Sequence, residues 1–373
     1  MVLMNLKLDN YMAFNEFEIN MSYPKKIVGN TMVENLINFP NFRYRKLNIL
    51  MGSNASGKTS IGRMLMSILN FIDRKEFVNI ISYINDVRED AKFEVQFVLN
   101  DNFYRISSIV KHKENPEADY KSEDLLTRVE KIRINKTDTY EKCLERLDSI
   151  TTAEFSSNFI QELEKVEKLS WAFEFPRDSR RITSRYIPEN DEKFLQILKN
   201  TLQALDPLIA NVEKVNEVKN AYIIRLGNEP VMIKDGVIVG EDKLSSGTKE
   251  GISLANMYAA LACGGFSFFY CDEKFSYIHS DIEKAFLSLM VQRLEGDCQL
   301  FFTSHNTDIL DMDFPKHSFN FLRKEIYDDK CYITVENAGD YVKKNTDSIK
   351  NAVQNDLFSS APMLEKIFAL DEI

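Results

Sequence analysis

Residues 52–59, with the sequence GSNASGKT, fit the phosphate-binding pattern G-x-x-x-x-G-K-[ST]. The apolar run at 47–51 precedes them and an amphipathic stretch at 60–69 follows, which predicts a strand, a loop and a helix. Small residues in such a loop let backbone N–H groups surround phosphate oxygens, and the helix start adds the positive end of its dipole. The predicted nucleotide contacts are Gly52, Ser53, Asn54, Ala55, Ser56, Gly57, Lys58, Thr59 and Ser60.

Two side chains of this loop carry distinct chemistry. Lys58 brings a mobile positive charge to the β- and γ-phosphates, and Thr59 offers a hydroxyl to Mg²⁺, which prefers hard oxygen ligands and keeps several waters. The pattern therefore predicts binding of ATP with Mg²⁺. The alternative is a glycine-bearing turn that matches by chance, but the strand, loop and helix patterns all favour the phosphate site.

Asp272 and Glu273 end an apolar run at 266–271 that is typical of a strand buried on both faces. Open α/β sheets bind ligands at the carboxyl ends of their strands. Asp272 is therefore predicted to hold Mg²⁺ through water. Glu273, on the other side of the extended chain, is predicted to accept a proton from the attacking water. The alternative for Glu273 is a solvated loop acid.

Residues 244–248, with the sequence LSSGT, precede an apolar helix predicted at 252–262. Ser245 supplies a hydroxyl and Gly247 an unobstructed N–H at the helix start, with Ser246 between them, so this is a second phosphate-binding helix end. A Ser-Ser-Gly N-cap without any ligand is the alternative. His305, one of four histidines in the chain, follows an apolar strand predicted at 300–302. Its alternative role is that of a turn or surface residue.

In this order, the segments GSNASGKT, LSSGT, FFYCDE and SHN resemble the nucleotide-binding motifs of the ABC superfamily. The resemblance implies an α/β fold, the ABC-type P-loop ATPase head, with a mixed sheet flanked by helices and N-terminal antiparallel strands. It implies that LSSGT of one subunit caps the γ-phosphate held by the other, so that a homodimer or higher homo-oligomer closes around ATP. It also implies that His305 contacts the γ-phosphate and orients the water. Glu273, His305 and Lys58 are then the catalytic residues of a Mg²⁺-dependent ATPase.

Within the superfamily, the chain is similar to the branch with SMC proteins, RecF and OLD-family ATPases. The opening at 6–21 resembles the paired N-terminal strands of that branch, and 187–211 resembles a helix of AAA-like ATPases found near bacterial defence genes. The interval of about 190 residues from Lys58 to Ser245 requires an inserted lobe. We therefore predict an N-terminal part of the head at 1–110, an inserted helical lobe at 111–215 and a C-terminal part of the head at 216–373.

Three positions depart from the pattern or fit it loosely. Lys274 follows the acidic pair where proline or an apolar residue is common, which leaves the geometry of that loop open. Gln96 is the nearest candidate for the Mg²⁺-sensing loop glutamine, and a solvent-facing strand residue is the alternative. His279 resembles an element near the dimer-facing loop of RecF-like and OLD-like ATPases, with a structural histidine as the alternative.

The net charge of −10 argues against broad attraction to nucleic acid, which rests on clustered Lys and Arg. Arg43, Arg45 and Lys46 are predicted to neutralise bound nucleotide. No C-x-x-C pair occurs, so neither zinc nor a disulfide framework is indicated, and no leader or membrane-spanning run is present, so we expect a cytoplasmic protein with no membrane partner. One patch opposes the acidic trend and would grip nucleic acid or an acidic protein, unless it is a solvated turn with core aromatics: Arg177, Arg180, Arg181 and Arg185, with Trp171, Phe173, Phe175 and Tyr186.

The chain beyond His305 has under 70 residues and no recognisable nuclease signature. ATPases of this size in the branch are often the sensor or scaffold subunit of anti-phage defence systems. The resemblance therefore implies a nucleotide-gated ATPase that controls a separate effector, a nuclease or a toxin. One alternative is a RecF- or SMC-like ATPase that acts in DNA repair or binds DNA ends. Another is a nucleotide-gated scaffold with negligible turnover.

Overall fold

A computed structural model describes residues 1–24, 32–150, 153–176, 191–227, 229–235, 237–328, 330–343 and 347–358, together with 368 and 370. The chain forms two compact units. The first comprises Met1–Leu169, Gly296–Gln299 and Thr307–Ile373, and the second comprises Ser170–Glu295 and Leu300–Asn306.

The strands in the described residues are β1 (Val2–Asp9), β2 (Phe17–Asn20), β3 (Asn35–Leu36), β4 (Phe39–Arg43), β5 (Leu47–Met51), β6 (Ala91–Leu99), β7 (Asn102–Val110), β8 (Leu125–Arg133), β9 (Trp171–Glu174), β10 (Ile209–Lys214), β11 (Ala221–Leu226), β12 (Glu229–Lys234), β13 (Val237–Val239), β14 (Phe268–Asp272), β15 (Gln299–Thr303), β16 (Phe319–Tyr327) and β17 (Lys330–Asn337). The α-helices there are α1 (Lys58–Arg74), α2 (Val78–Ile81), α3 (Tyr140–Ile150), α4 (Phe159–Leu163), α5 (Asp191–Leu205), α6 (Ser246–Cys263), α7 (Ser280–Gln292), α8 (Ala338–Tyr341) and α9 (Ile349–Gln354).

The first unit contains an antiparallel sheet in the order β2-β1-β6-β7-β8. The predicted pairing of the N-terminal strands is confirmed, and β6 and β7 form an antiparallel hairpin. The hairpin turns at Asn100 and Asp101, whose φ angles of 46° and 63° are the left-handed values that a tight two-residue turn requires. Short polar side chains tolerate this conformation, so the local sequence determines the turn.

A second group of strands in the first unit carries the phosphate-binding pattern. β5 is buried along its whole length, runs parallel to β16 and is followed by α1, while β16 pairs antiparallel with β17. α1 buries Ile61, Leu65, Ile68 and Ile72, which recur at three- and four-residue steps and form one apolar face. The predicted strand, loop and helix are therefore confirmed.

The second unit contains an antiparallel sheet in the order β10-β11-β12-β13. Its inner face packs on α5 and α6 through a core that includes Leu198, Leu202, Ile224 and Ile252. In the same unit, β9 pairs in parallel with β14, and β15 lies on the other side of β14. β14 and β15 are buried along their whole length and end at Asp272 and Thr303, beside the acidic pair and the SHN segment.

The segment predicted as a helical lobe, 111–215, is mixed rather than uniformly helical. It contains α3, α4 and α5, but also β8, β9 and β10. In β8, buried Leu125, Thr127 and Val129 alternate with more exposed residues, the two-residue period of a strand paired on β7. The helical prediction missed this period because neighbouring charged residues obscure it. The division of the chain at 110 and 215 stays a prediction.

Arg177, Arg180, Arg181, Arg185 and Tyr186 of the predicted basic patch lie outside the described residues. The remaining aromatic residues of that patch, Trp171, Phe173 and Phe175, are buried. The ring of Phe173 stacks on Tyr270 of β14 with centroids 5.6 Å apart. These three rings therefore belong to the core of the second unit, as the alternative interpretation proposed.

Over the described part of the chain, no helix has both the length and the apolar character needed to cross a bilayer. The cytoplasmic location stays a prediction.

Candidate functional site

The loop at 52–59 connects β5 to α1 in the first unit. Gly52 has a φ of +154°, and a Cβ atom on it would lie 2.7 Å from the carbonyl oxygen of Leu322 and 2.7 Å from Ser56 Oγ. Any side chain would therefore force the loop away from its neighbours. Gly57 is the N-cap of α1 and provides no side-chain hydrogen bond to the helix start. The first N–H groups of α1 are thus not capped by the residue that precedes them.

The side chains of this loop fit a phosphate anion. Lys58 Nζ donates to the carbonyl oxygens of Gly52, at 2.9 Å, and Ser53, at 3.1 Å, and the residue is only 3% exposed. Ser56 Oγ is buried and has no hydrogen-bond partner among the described residues. Thr59 lies partly buried in the first turn of α1. The donors that a triphosphate would engage are the ammonium of Lys58, the buried hydroxyl of Ser56 and the first N–H groups of α1.

The acidic pair lies at the end of β14 in the second unit, as predicted. Asp272 is fully buried, and its Oδ1 accepts a hydrogen bond from Thr303 Oγ1 at 2.7 Å. Thr303 Oγ1 in turn accepts the backbone N–H of Glu273 at 2.9 Å. Thr303 therefore fixes both acids, although the sequence interpretation did not identify it. The available signal was its position, as the polar residue that ends the neighbouring apolar strand.

Glu273 and His305 are 2.8 Å apart, from Oε1 to Nε2, and line one cavity of about 290 Å³ in the second unit. Their side chains are 23% and 38% exposed, so both reach solvent. The φ angle of Glu273 is 43°, a left-handed value that is rare for a residue with a side chain and that is often found at functional sites. A carboxylate beside an imidazole in a cavity that reaches solvent can take a proton from water. The structure thus brings two of the predicted catalytic residues together.

The LSSGT segment begins α6 in the second unit. Ser245 is the N-cap, and its Oγ accepts the backbone N–H of Thr248 at 3.1 Å. Ser246 is exposed, and a Cβ atom on Gly247 would lie 2.9 Å from the carbonyl oxygen of Tyr277. The ligand-free alternative predicted this cap, and the close approach explains the need for glycine. A contact of Ser245, Ser246 and Gly247 with γ-phosphate stays a prediction.

Lys274 turns away from the cavity and into the second unit. It is 1% exposed, and its Nζ donates to Glu250 Oε2 of α6 at 2.5 Å and to the carbonyl oxygen of Phe175 at 2.6 Å. The departure from the ABC pattern therefore places no extra charge beside Glu273. Instead, a buried ion pair connects the second residue after β14 to the helix that begins with the LSSGT segment.

Burial raises the pKa of the neighbouring Glu174 carboxyl to about 7, although the positive charge of Lys274 lowers it and the charge of Glu250 raises it further. The folded state therefore binds a proton that the unfolded state releases near its ordinary pKa of 4.5. Because the unfolded state binds fewer protons in this window, the contribution of Glu174 to the free energy of unfolding falls as pH rises from about 4.5 to about 7.

Glu174→Gln should remove this decline. We expect the variant to be more stable than the natural protein at pH 8, by roughly 1–3 kcal/mol, and to differ little from it at pH 5. Urea denaturation at both pH values measures the difference. An equal pH dependence for the two proteins would contradict the assignment.

One predicted role is wrong. Gln96 is buried in β6, where its Oε1 accepts from the hydroxyl of Tyr140 at 2.7 Å and its Nε2 donates to Glu94 at 2.8 Å, so it neither faces solvent nor belongs to a loop. Arg45 precedes β5 and donates to Oδ1 of Asn320, the register partner of Leu50. The neutralisation of bound nucleotide by Arg43, Arg45 and Lys46 stays a prediction.

Among the described residues, no group of three or more His, Cys, Asp or Glu side chains could hold a metal ion. Thr59 and Asp272, the predicted ligands, each offer an oxygen of the hard type that Mg²⁺ prefers. Each such oxygen suits an ion that takes its remaining ligands from phosphate and water. The chain is therefore suited to Mg²⁺ that arrives with a nucleotide.

No protein-family model matches the sequence, and no curated protein is significantly similar to it. Solved SMC head domains have a similar structure. An SMC head bound to the C-winged helix domain of ScpA matches with a TM-score of 0.50 and 13% identity, over 92% of this chain and 100% of that one. A second, from Pyrococcus furiosus, has an extended coiled coil and is bound to the C-terminal domain of ScpA; its TM-score is 0.50 at 10% identity, over 92% and 98%. This likeness confirms the predicted α/β fold.

Proposed function

We propose that this protein is a Mg²⁺-dependent ATPase of the ABC type that dimerises around ATP. The observation that carries the proposal is the Glu273–His305 pair, 2.8 Å apart at the carboxyl end of a buried strand. The pair occurs in a chain that also carries a complete phosphate-binding loop with a buried lysine and a glycine that tolerates no side chain. The SMC-head fold supports the same function.

In the proposed reaction, Lys58 and the start of α1 bind the phosphates. Glu273 accepts the proton of the attacking water, and His305 contacts the γ-phosphate and orients the water. Thr303 fixes Glu273 through its backbone N–H and Asp272 through its carboxylate. Thr59 and Asp272 would hold Mg²⁺, which would supply a Lewis acid for the phosphate charge.

We further propose that Ser245, Ser246 and Gly247 of one protomer cap the γ-phosphate held by its partner. The ligand-free serine cap supports this role, because it presents Ser246 to solvent at the start of a helix of 18 residues. The two SMC heads were solved with another protein bound, ScpA. By analogy, a separate partner protein responds to whether nucleotide is bound to this chain. We propose a nuclease or toxin of an anti-phage defence system as that partner.

Ser246→Glu tests the shared site. The exposed carboxylate would favour the start of α6 through the helix dipole, so folding is preserved, but it would repel a γ-phosphate. We expect the natural protein to sediment as a dimer with Mg²⁺ and a slowly hydrolysed ATP analogue, and Ser246→Glu to stay monomeric while it still binds the analogue. Ser246→Ala is the neutral control. If Ser246→Glu dimerises at the same analogue concentration as the natural protein, the proposed interface is wrong.

The fold of SMC heads also favours a second candidate, an ATPase that binds DNA ends during repair. ATP-dependent binding to duplex ends, with log K falling steeply against log salt, would support it, because each neutralised phosphate adds about 0.9 to the slope. The net charge of −10 opposes broad contact with DNA. If the protein does not bind duplex ends, or binds them independently of salt, this second candidate is wrong. The control of a separate effector then remains the proposed function.

A further inference from the structure

Both neighbours of His305 are bonded to one buried carboxylate. Ser304 Oγ donates to Glu283 Oε1 at 2.6 Å, and Asn306 Nδ2 donates to Glu283 Oε2 at 2.7 Å. Glu283 lies on α7 and is only 3% exposed. The two oxygens of one side chain thus hold the residues immediately before and after the histidine.

Further bonds tighten this segment. The backbone N–H of Asn306 donates to Ser304 Oγ at 3.0 Å, and Asn306 Nδ2 also reaches Ser280 Oγ at 3.0 Å. Hydrogen bonds to an ionised carboxylate are stronger than neutral ones, and burial reduces competition from water. The backbone at 304–306 is therefore fixed on both sides of an imidazole that is itself 38% exposed.

Sequence interpretation alone assigns Glu283 another role. Ser280 and Glu283 match the S-x-x-E capping box, but the N-cap of α7 is His279, whose Nδ1 accepts the backbone N–H of Asp281 at 3.2 Å. The predicted capping box is therefore wrong. Glu283 is instead buried and bonds to Ser304 and Asn306.

We propose that Glu283 is a positioning residue, which holds the 304–306 segment so that His305 Nε2 stays in contact with Glu273. The proposal rests on the proposed ATPase function for its kinetic consequence, but not for its structural one. Glu283 lines the same cavity as Glu273 and His305, but each of its two oxygens accepts a hydrogen bond, one from Ser304 and one from Asn306. Without these hydrogen bonds, the backbone at 304–306 would gain conformational freedom. That freedom would be lost each time Glu273 and His305 come into contact, which costs conformational entropy.

Three variants separate this role from a simple loss of charge or packing. Glu283→Ala removes the carboxylate. Glu283→Gln keeps the shape, since its carbonyl oxygen accepts from Asn306 while its amide donates to Ser304 Oγ. Asp281→Asn removes an exposed acid from the same helix and serves as the matched control.

We expect Glu283→Ala to lower kcat by about 10–100-fold, as losses of supporting residues around a reacting group do, with KM for ATP within about threefold. Glu283→Gln and Asp281→Asn should stay within about threefold of the natural kcat. A natural kcat for Glu283→Ala, or an equal loss for Glu283→Gln, would overturn the proposal.

A second measurement needs no hydrolysis. The ¹⁵N signals of the imidazole of His305, one of four histidines, report whether Nε2 is hydrogen-bonded in the nucleotide-free protein. We expect the natural protein, Glu283→Gln and Asp281→Asn to share one spectrum, and Glu283→Ala to shift toward a solvated imidazole. If Glu283→Ala fails to fold, Asn306→Ala removes one arm of the same contact and should produce the same shift.

The kinetic measurement and the imidazole spectrum test the two proposals independently. If the natural protein releases no phosphate above the Glu273→Gln background, the proposed function is wrong, and the imidazole spectrum still decides the role of Glu283. If phosphate is released but the His305 signals of Glu283→Ala and Asn306→Ala do not differ from those of the natural protein, the positioning role is wrong and the ATPase stands.

Discussion

Glu273→Gln is expected to bind ATP normally and to hydrolyse it about 10²–10⁴ times more slowly than the natural protein. Glutamine has nearly the shape of glutamate, and its carbonyl oxygen can still accept from His305 Nε2, now 2.8 Å from Glu273. The backbone bond from residue 273 to Thr303 also survives, so the loop should keep its position. Only the capacity to take a proton from water is lost.

Phosphate release under saturating ATP measures the rate, and binding of a fluorescent ATP analogue measures affinity. Glu295→Gln, an exposed change after α7, controls for the loss of one negative charge in the same unit. A natural rate for Glu273→Gln would show that the general base lies elsewhere. A loss of binding instead of turnover would show that Glu273 supports the fold and not the reaction.

Lys274→Met is expected to reduce the free energy of unfolding by about 3–5 kcal/mol, the cost of removing one partner of a buried ion pair. The change leaves the carboxylate of Glu250 buried without the ammonium that lies 2.5 Å from it, and it also removes the donor to the carbonyl of Phe175. Glu174, whose pKa is already raised by burial, would lose the nearby positive charge that lowers this pKa.

The double variant Lys274→Met with Glu250→Leu should recover most of this loss, because replacement of both charges by apolar groups leaves no isolated charge. Urea denaturation of the natural protein, Lys274→Met and the double variant measures their free energies of unfolding. Lys243→Met is the matched control: it breaks an exposed pair with Glu229 in the same unit and should change stability little. A small effect of Lys274→Met, similar to that of Lys243→Met, would mean that solvent reaches the pair.

If the ion pair is as stable as we expect, it also has a functional consequence. It joins Lys274, next to the proposed base, to α6, which begins with the proposed phosphate cap. A strained Glu273 backbone needs surroundings that hold it in place, and this pair supplies one such contact. Lys274→Met should therefore slow ATP hydrolysis as well as lower the free energy of unfolding. Because the double variant should recover most of the stability, its rate shows whether hydrolysis depends on the ion pair itself.

Elements set by neighbours in the chain could be predicted from the sequence. The phosphate loop follows an apolar strand and opens an amphipathic helix, and each of these patterns spans fewer than twenty residues. The hairpin of β6 and β7 depends on two residues, Asn100 and Asp101, that accept left-handed φ angles. The acidic pair is similarly local, because charge directly after a buried strand marks the end of that strand.

Contacts between residues distant in the chain could not be predicted. Lys274 bonds to Glu250 and Phe175, which are 24 and 99 residues away, and no periodicity records either contact. Thr303 was missed, and Glu283 was assigned to a helix cap, for the same reason. Their partners lie on neighbouring elements at separations of 30, 31, 21 and 23 residues.

The amino-acid sequence by itself determined which residues could bind phosphate and take a proton, because motif spacing and local burial patterns are properties of short segments. The tertiary structure decided which side chains support them. It paired Glu273 with His305, turned Lys274 inward and gave Glu283 to the SHN segment instead of to a helix cap. The physical reason is that a buried polar group must find a partner, and folding determines which partner is within reach.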